Sequence, residues 1–561
     1  MSAAFSASGP ARDSGEENPE QRPRRVWPLH PFAFALFPLL SLYAANRTEV
    51  PRSDLIRPFL VVLGATLVLW AVFRVVARGG QRAAALLSAF LFLFFIYGGL
   101  EFIEPFAAEV LVLFAPKRAN LLSPHLYLLP LWGILAAIVF AACARSRRDF
   151  TPLTTILNAA GLVLVVLPLF PIATHAARRP AGDTSSRGAS GAVPAAPVKR
   201  NAAAAPGALP DIYYIVLDAY GRQDVLREFY GHDNEPFLRE LEKRGFFVAR
   251  NARPNYAQTV MSLASSLNMT YLDKVARAQG KESSDVFPLS QMVDKNAVAA
   301  FLRARGYRFV AITNDYSPTL VSSADVVLEG GPPPATRLTP FEGLLLDKTP
   351  FAAFPRAQRS LYDQHRDLVR AAFAHLSDAP ALPGPKFVYA HVLAPHPPFV
   401  FGARGEPVTP ARPYTLGDGS DFTRRGGAAA RADYRRGYVG QLQYVNRSVL
   451  AALDAIFARS ARPPIVIVQG DHGSRMGMDW QDIRKTNLRE SFANLSAFYL
   501  PDGAAAQVFY ADISPVNAFR LLFNHQFGAR FPRLPDRSYY ATLQKPYQFT
   551  DVTDQTRPAS R

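Results

Sequence analysis

The chain has 561 residues, more than one ordinary domain of roughly 100 to 200 residues accommodates, so at least two domains are expected. Its 62 Lys and Arg against 45 Asp and Glu give a formal charge of +17; positively charged cytoplasmic loops of a membrane protein account for much of this, and no nucleic-acid partner is expected. The single cysteine, Cys143, excludes any intramolecular disulfide and leaves the redox compartment open.

Residues 1–28 are polar, end in Arg22, Arg24 and Arg25, and read as a disordered tail. Five apolar stretches follow, at about 29–45, 58–76, 83–100, 124–144 and 153–174, each near the ~17 to 25 residues of a spanning helix. The first holds Pro31 and Pro38 and is the weakest; Val110 to Phe114 is too short to span. Arginines at 12, 22, 24 and 25, at 74, 78 and 82, and at 145, 147 and 148 contrast with Glu101, Glu104 and Glu109 in the third loop. This places the amino terminus inside, although Arg47, Arg52 and Arg57 in the first outer loop weaken the contrast. Five spans across 29–175 then put everything after Thr174 outside the cell membrane.

Residues 176–209 have linker composition, rich in Ala, Pro, Gly and Ser. From 210 the pattern becomes strands alternating with helices, the signature of an α/β domain with a mostly parallel sheet, expected to end near 550 with a tail over 551–561. Candidate strands are Tyr213 to Leu217, Tyr307 to Ile312, Lys386 to Leu393 and Ile465 to Val468. Between the last two, Tyr438, Leu442, Val445, Val449, Leu453 and Ile456 step by three and four, as on an amphipathic helix packed on a sheet.

Three of these strands end in potential ligands: Asp218 after the first, His396 after the third, and the pair Asp471-His472 after the fourth. In a parallel sheet those ends share one edge, where ligands bind. Carboxylates with imidazole suit a divalent metal, Mn²⁺, Mg²⁺ or Zn²⁺. Thr259 stands where a loop meets an apolar helical segment, so its hydroxyl reads either as an N-cap or as a nucleophile close to free backbone N–H groups; Ser262 and Ser265 are rivals. Arg475, four residues beyond Asp471, is a candidate for a phosphoryl oxygen, though as one among many arginines it reads more readily as a surface charge.

With these residues in place, the chain from Asp211 onward resembles the sulfatase-like branch of the alkaline phosphatase superfamily, particularly the membrane-anchored lipoteichoic acid synthase and phosphoethanolamine transferase types. The resemblance implies that Asp218, Thr259, Asp471 and His472 hold one metal, that Thr259 is the nucleophile, and that His396, in Pro395-His396-Pro397-Pro398-Phe399, contacts substrate. The stretch Tyr510 to Arg520 resembles the same membrane proteins, without a chemical role attached. Departures are Asp218 where those transferases carry Glu, Ala219 where true sulfatases carry a second Asp, and the missing Cys/Ser-x-Pro-x-Arg signature that yields formylglycine. The expectation is a hydrolase or transferase acting on phosphodiesters of lipid or envelope-glycan head groups through a phospho-Thr intermediate. Competing readings are a sulfuric ester hydrolase, a non-catalytic binding protein on the same fold, and a transporter formed by the five spans.

Overall fold

The computed structural model describes residues 26–178, except 48, 49, 51, 78, 100–124 and 147, and residues 209–557, except 315, 332–335, 354, 411, 413 and 425. The acidic third loop, most of the amino-terminal tail and nearly all of the expected linker lie outside the described residues.

The apolar stretches form helices at His30–Asn46, Ser53–Ala77, Gly80–Ile96, His125–Arg145 and Thr151–Arg178. Four are long and apolar enough to cross a membrane, over Ser53–Ala77, Gly80–Gly99, Leu128–Arg145 and Thr151–Thr174. The first has 17 residues and Pro38 in its interior, about 25 Å of helix against a hydrocarbon core of about 30 Å. Instead of facing outward it is covered by its neighbours, with Ala35 and Leu39 fully buried. The expected five spans are therefore four long apolar helices and one short buried one.

One end of this bundle meets the following domain through the helix Pro340–Asp347. Tyr43 and Leu39 pack against Phe341 and Leu345, the Gly98 N–H donates to the Lys348 carbonyl at 3.2 Å, and Arg57 pairs with Glu342, its Nε lying 2.6 Å from Oε1. Arg57, one of the cations that spoiled the charge contrast, is thus engaged by the domain itself.

The α/β domain is built on a seven-stranded sheet: β1 (Ile212–Leu217), β2 (Phe247–Val248), β3 (Arg308–Ile312), β4 (Val326–Leu328), β5 (Lys386–Val392), β6 (Ile465–Gly470) and β7 (Ser496–Tyr499). The order is β2-β7-β6-β1-β5-β3-β4. Strands β6, β1, β5, β3 and β4 run parallel, while β2 and β7 form an antiparallel edge. All six residues of β1 are buried, as a central parallel strand covered on both faces requires. Alternate residues serve different cores. Tyr213, Ile215 and Leu217 face Tyr438, Leu442, Val445 and Leu453 of the Gly427–Arg459 helix. Ile212, Tyr214 and Val216 face the Thr259–Asn268 and Pro515–Phe527 helices. Register aligns Leu217 with both Gly470 and Val392, so the carboxyl ends of β6, β1 and β5 open at one level. Residues 551–557, expected as a tail, return to the domain: Thr550–Asp551 pairs with Tyr539–Tyr540, and Val552 is buried.

Candidate metal centre and nucleophile

The turn after β1 presents Asp218, 2% exposed, and is made tight by Ala219 in the left-handed region at φ 62°. The Ala219 N–H donates to Asp471 Oδ1 at 3.0 Å, and the Tyr438 hydroxyl donates to the Ala219 carbonyl at 2.7 Å. After β6, Asp471 and His472 are fully covered, and a Cβ on Gly473 would lie 2.1 Å from the Glu490 carbonyl oxygen. Only glycine lets the chain turn there.

Four groups converge. His472 Nε2 lies 3.0 Å from Asp471 Oδ2 and 3.3 Å from Asp218 Oδ1. His391 Nε2, from within β5, lies 3.3 Å from Asp218 Oδ2; Asp218, His391 and Asp471 each place a ligand atom within 4.8 Å of the others. Asp218 Oδ1 and Asp471 Oδ2 are buried and accept no hydrogen bond, a costly arrangement for carboxylate oxygens unless a cation sits between them. The donor set therefore fits a divalent cation.

Hydrogen bonding distinguishes the two imidazoles. His472 Nδ1 faces the Gly473 carbonyl at 2.8 Å, which can only accept, so Nδ1 carries hydrogen and Nε2 offers its lone pair to a metal. His391 is reversed. The Asn314 amide is oriented by the Tyr316 N–H on Oδ1, so its Nδ2 donates to His391 Nδ1 at 3.1 Å and leaves Nε2–H to point at Asp218. His391 Nε2 thus faces Asp218 Oδ2, while Asp218 Oδ1, Asp471 Oδ2 and the Thr259 hydroxyl all surround His472 Nε2. Burial pushes the His472 pKa down, as does Arg475, but Asp471 and Asp218 outweigh both and raise it to about 9. Burial opposes ionisation of Asp218, yet His396, His391 and His472 hold it well below the usual carboxylate range. An anionic pair that retains a proton this firmly also favours a metal cation in its place.

Thr259 is the first residue of its helix, and Gln258 is the N-cap, without a side-chain capping bond. Its hydroxyl instead lies 3.1 Å from His472 Nε2 and 3.3 Å from Arg475 Nη2. The rivals are occupied: Ser262 donates to the Asp471 carbonyl at 2.6 Å, and Ser265 to the Thr270 carbonyl at 2.7 Å. Arg475 is 4% exposed, donates to the Ala257 carbonyl, and lies over the Trp480 ring at 4.9 Å. It is no surface charge. His396 comes from the loop after β5, its N–H on the Asp218 carbonyl at 3.1 Å and its carbonyl accepting from Gln441 Nε2 at 2.8 Å. The structure thus brings together all six residues singled out in the sequence, and adds His391 and, beside His396, Asp418.

The model of the sulfatase family matches residues 210–503, more than half of the chain and the whole stretch carrying these residues. The chain belongs to the sulfatase family. Solved structures similar to it include the C-terminal periplasmic domain of EcEptC from Escherichia coli, at 14% identity and TM-score 0.38, covering 62% of this chain and 94% of that one. The corresponding domain of phosphoethanolamine transferase EptC from Campylobacter jejuni aligns at 11% identity and TM-score 0.35, over 57% and 90%. The phosphonate monoester hydrolase of Agrobacterium radiobacter aligns at 15% and 0.39, over 59% and 80%. No curated protein sequence matches the chain.

Proposed function

We propose that this sulfatase-family protein is a membrane-anchored phosphodiester hydrolase or transferase acting on lipid or envelope-glycan head groups outside the cell membrane, through a phospho-Thr259 intermediate. The observation that carries this reading is the placement of Thr259 Oγ1, 3.1 Å from His472 Nε2 and 3.3 Å from Arg475 Nη2, beside two carboxylates with unpartnered buried oxygens. A threonine cannot be converted to formylglycine, which favours phosphorus over sulfur.

Thr259 Oγ, its proton released to solvent, attacks phosphorus in line. The Oγ–P bond forms as the bond to the departing alcohol breaks, and His396 protonates the departing oxygen. Arg475 binds a non-bridging oxygen and opposes its charge. Water or an acceptor hydroxyl then attacks phosphorus and returns a proton to His396, as the Oγ–P bond breaks and Thr259 Oγ takes a proton back from solvent. A Mn²⁺, Mg²⁺ or Zn²⁺ ion held by Asp218, Asp471, His472 and the Thr259 oxygen would supply charge neutralisation and a lowered hydroxyl pKa.

The test is incubation of the purified protein with a chromogenic phosphodiester and the matching sulfate ester, with and without chelator. The reading expects chelator-sensitive hydrolysis of the phosphodiester that is lost in Thr259→Ala. Preference for the sulfate ester, or full activity in Thr259→Ala, overturns it.

A further inference from the structure

We propose that Asp418 is a positioning residue for His396, holding the imidazole Nε2 at the departing oxygen; this rests on the reaction proposed above. Asp418 lies in the connection between β5 and the Gly427–Arg459 helix, 22 residues after His396, and is 2% exposed. Its Oδ2 stands 3.6 Å from His396 Nε2 and makes no hydrogen bond although buried. Its Oδ1 accepts the Gly419 N–H at 2.7 Å, which fixes the direction of the carboxylate. A carboxylate buried with one oxygen unsatisfied costs folding energy, and two buried groups face it, the His396 imidazole and the Tyr434 hydroxyl.

His396 is restrained everywhere else. Its main chain is tied to Asp218 and Gln441, and Nδ1 faces the Pro397 carbonyl, which can only accept, so Nδ1 bears hydrogen. Nε2 is then the ring atom left to meet substrate, and Asp418 is the carboxylate beside it. The loop holding Asp418 is itself anchored to the far side of the site. The Trp480 indole N–H donates to the Asp418 carbonyl at 2.8 Å, and a Cβ on Gly419, at φ 59°, would lie 2.9 Å from the Met478 carbonyl oxygen. Trp480 in turn carries Arg475. One loop therefore ties the imidazole that meets the departing oxygen to the guanidinium at the nucleophile. Tyr434, fully buried, also faces Asp418, whose charge adds to burial in raising its phenol.

The test is the dependence of kcat/KM on the departing group across aryl methyl phosphates, from 4-nitrophenyl to 4-methoxyphenyl, for wild type, Asp418→Asn, Asp418→Glu and His396→Gln. Positioned acid catalysis contributes about 10² to 10⁴-fold, and matters most for the poorest departing group. Asp418→Asn is expected to lose about 10-fold or more on the methoxyphenyl ester and under about 3-fold on the nitrophenyl ester, steepening the series toward that of His396→Gln, with Asp418→Glu partly restoring it. A loss equal across the series, or none, overturns the proposal. A readout independent of turnover is carbethoxylation of His396 by diethylpyrocarbonate, mapped by peptide mass. It is expected to accelerate in Asp418→Asn, and an unchanged rate overturns the positioning role even if no aryl ester is a substrate. Failure of wild type on every ester with accelerated carbethoxylation would instead refute the phosphodiester reading and leave Asp418 holding His396.

Discussion

Replacing Asp471 by Asn separates metal binding from folding. In the folded chain Asp471 Oδ1 accepts two N–H groups, from Ala219 and His472, each at 3.0 Å, while Oδ2 is buried and accepts none. Asparagine keeps the accepting oxygen and removes the charge. Neutral acceptors are weaker than ionised ones, about 1 kcal/mol lost over the pair of bonds, and the contact with His472 weakens as well. Against this, removing a buried charge relieves about 1 to 3 kcal/mol, which offsets most of the loss of the ion pair with protonated His472, so the metal-free variant should unfold within about 2 kcal/mol of wild type. Metal changes the comparison. At a concentration 100 times Kd, a ligand that binds only the folded state adds about 2.7 kcal/mol. A 100-fold weaker site at that concentration adds RT ln 2, about 0.4 kcal/mol. At about 2 °C per kcal/mol for a large domain, a shift near 5 °C should shrink to about 1 °C. The assay is thermal unfolding of the full chain in detergent, stripped with chelator and then given Mn²⁺, Mg²⁺ or Zn²⁺. A full metal shift in Asp471→Asn, or a metal-free variant that loses several kcal/mol, would refute the reasoning.

Other predictions concern the frame around the site. Breaking the Arg57–Glu342 pair by Arg57→Glu should raise the rate of limited proteolysis near the Pro340–Asp347 helix, and the double charge swap with Glu342→Arg should reverse it; equal rates in both would deny the pair a role in holding the domain to the bundle. Burial pushes Glu490 up to about 7, against the hydrogen bonds it accepts from Tyr230, Gly477, Met476 and Ser474. The folded chain therefore retains a proton that the unfolded chain, with the ordinary value of 4.5, has released, so stability from this group falls as pH rises from 4.5 through about 7, by up to about 3 kcal/mol in all. Unfolding midpoints of Glu490→Gln should show a flatter pH dependence over that range, and a parallel slope would contradict the assignment. Phe519 is fully buried, edge-on to Tyr214 with centroids 5.1 Å apart, and Phe519→Ala should cost about 3 to 5 kcal/mol in denaturant unfolding; a loss below 1 kcal/mol would mean that the Tyr510 to Arg520 stretch is not core.

That stretch illustrates what the sequence conveyed and what it withheld. Its resemblance was visible but its role was not, because the role is assembled from distant partners: Asn255 Oδ1 accepts the Val516 N–H at 2.9 Å, and Arg520 Nε donates to the Met269 carbonyl at 2.7 Å. Both ends of the Thr259–Asn268 helix are clamped this way. The ends of β1, β5 and β6 were legible because each is a short apolar run stopped by Pro, Gly or a charge, and burial on both faces erases any alternation that would suggest an exposed sheet. The same effect hid His391. Within β5 every position is buried, so no periodicity separates an imidazole that orients a ligand from one that merely fills space. Asp418 lies in a loop of Gly, Pro and Thr with no period at all, and its importance comes only from the folded distance to His396. The antiparallel edge escaped notice because β2 has two residues and β7 four. Thr259 read as a possible cap because caps and nucleophiles share residue type and place; the folded helix begins one residue earlier than a capping role needs, leaving the hydroxyl to His472 and Arg475.

The most direct test of the central claim is peptide mass spectrometry of the enzyme acid-quenched during turnover of a phosphodiester, with divalent metal present. The account predicts a phosphoryl ester adduct on Thr259, absent from Thr259→Ala and from chelator-treated protein. An adduct on Ser262 or Ser265, or sustained turnover by Thr259→Ala, would contradict it.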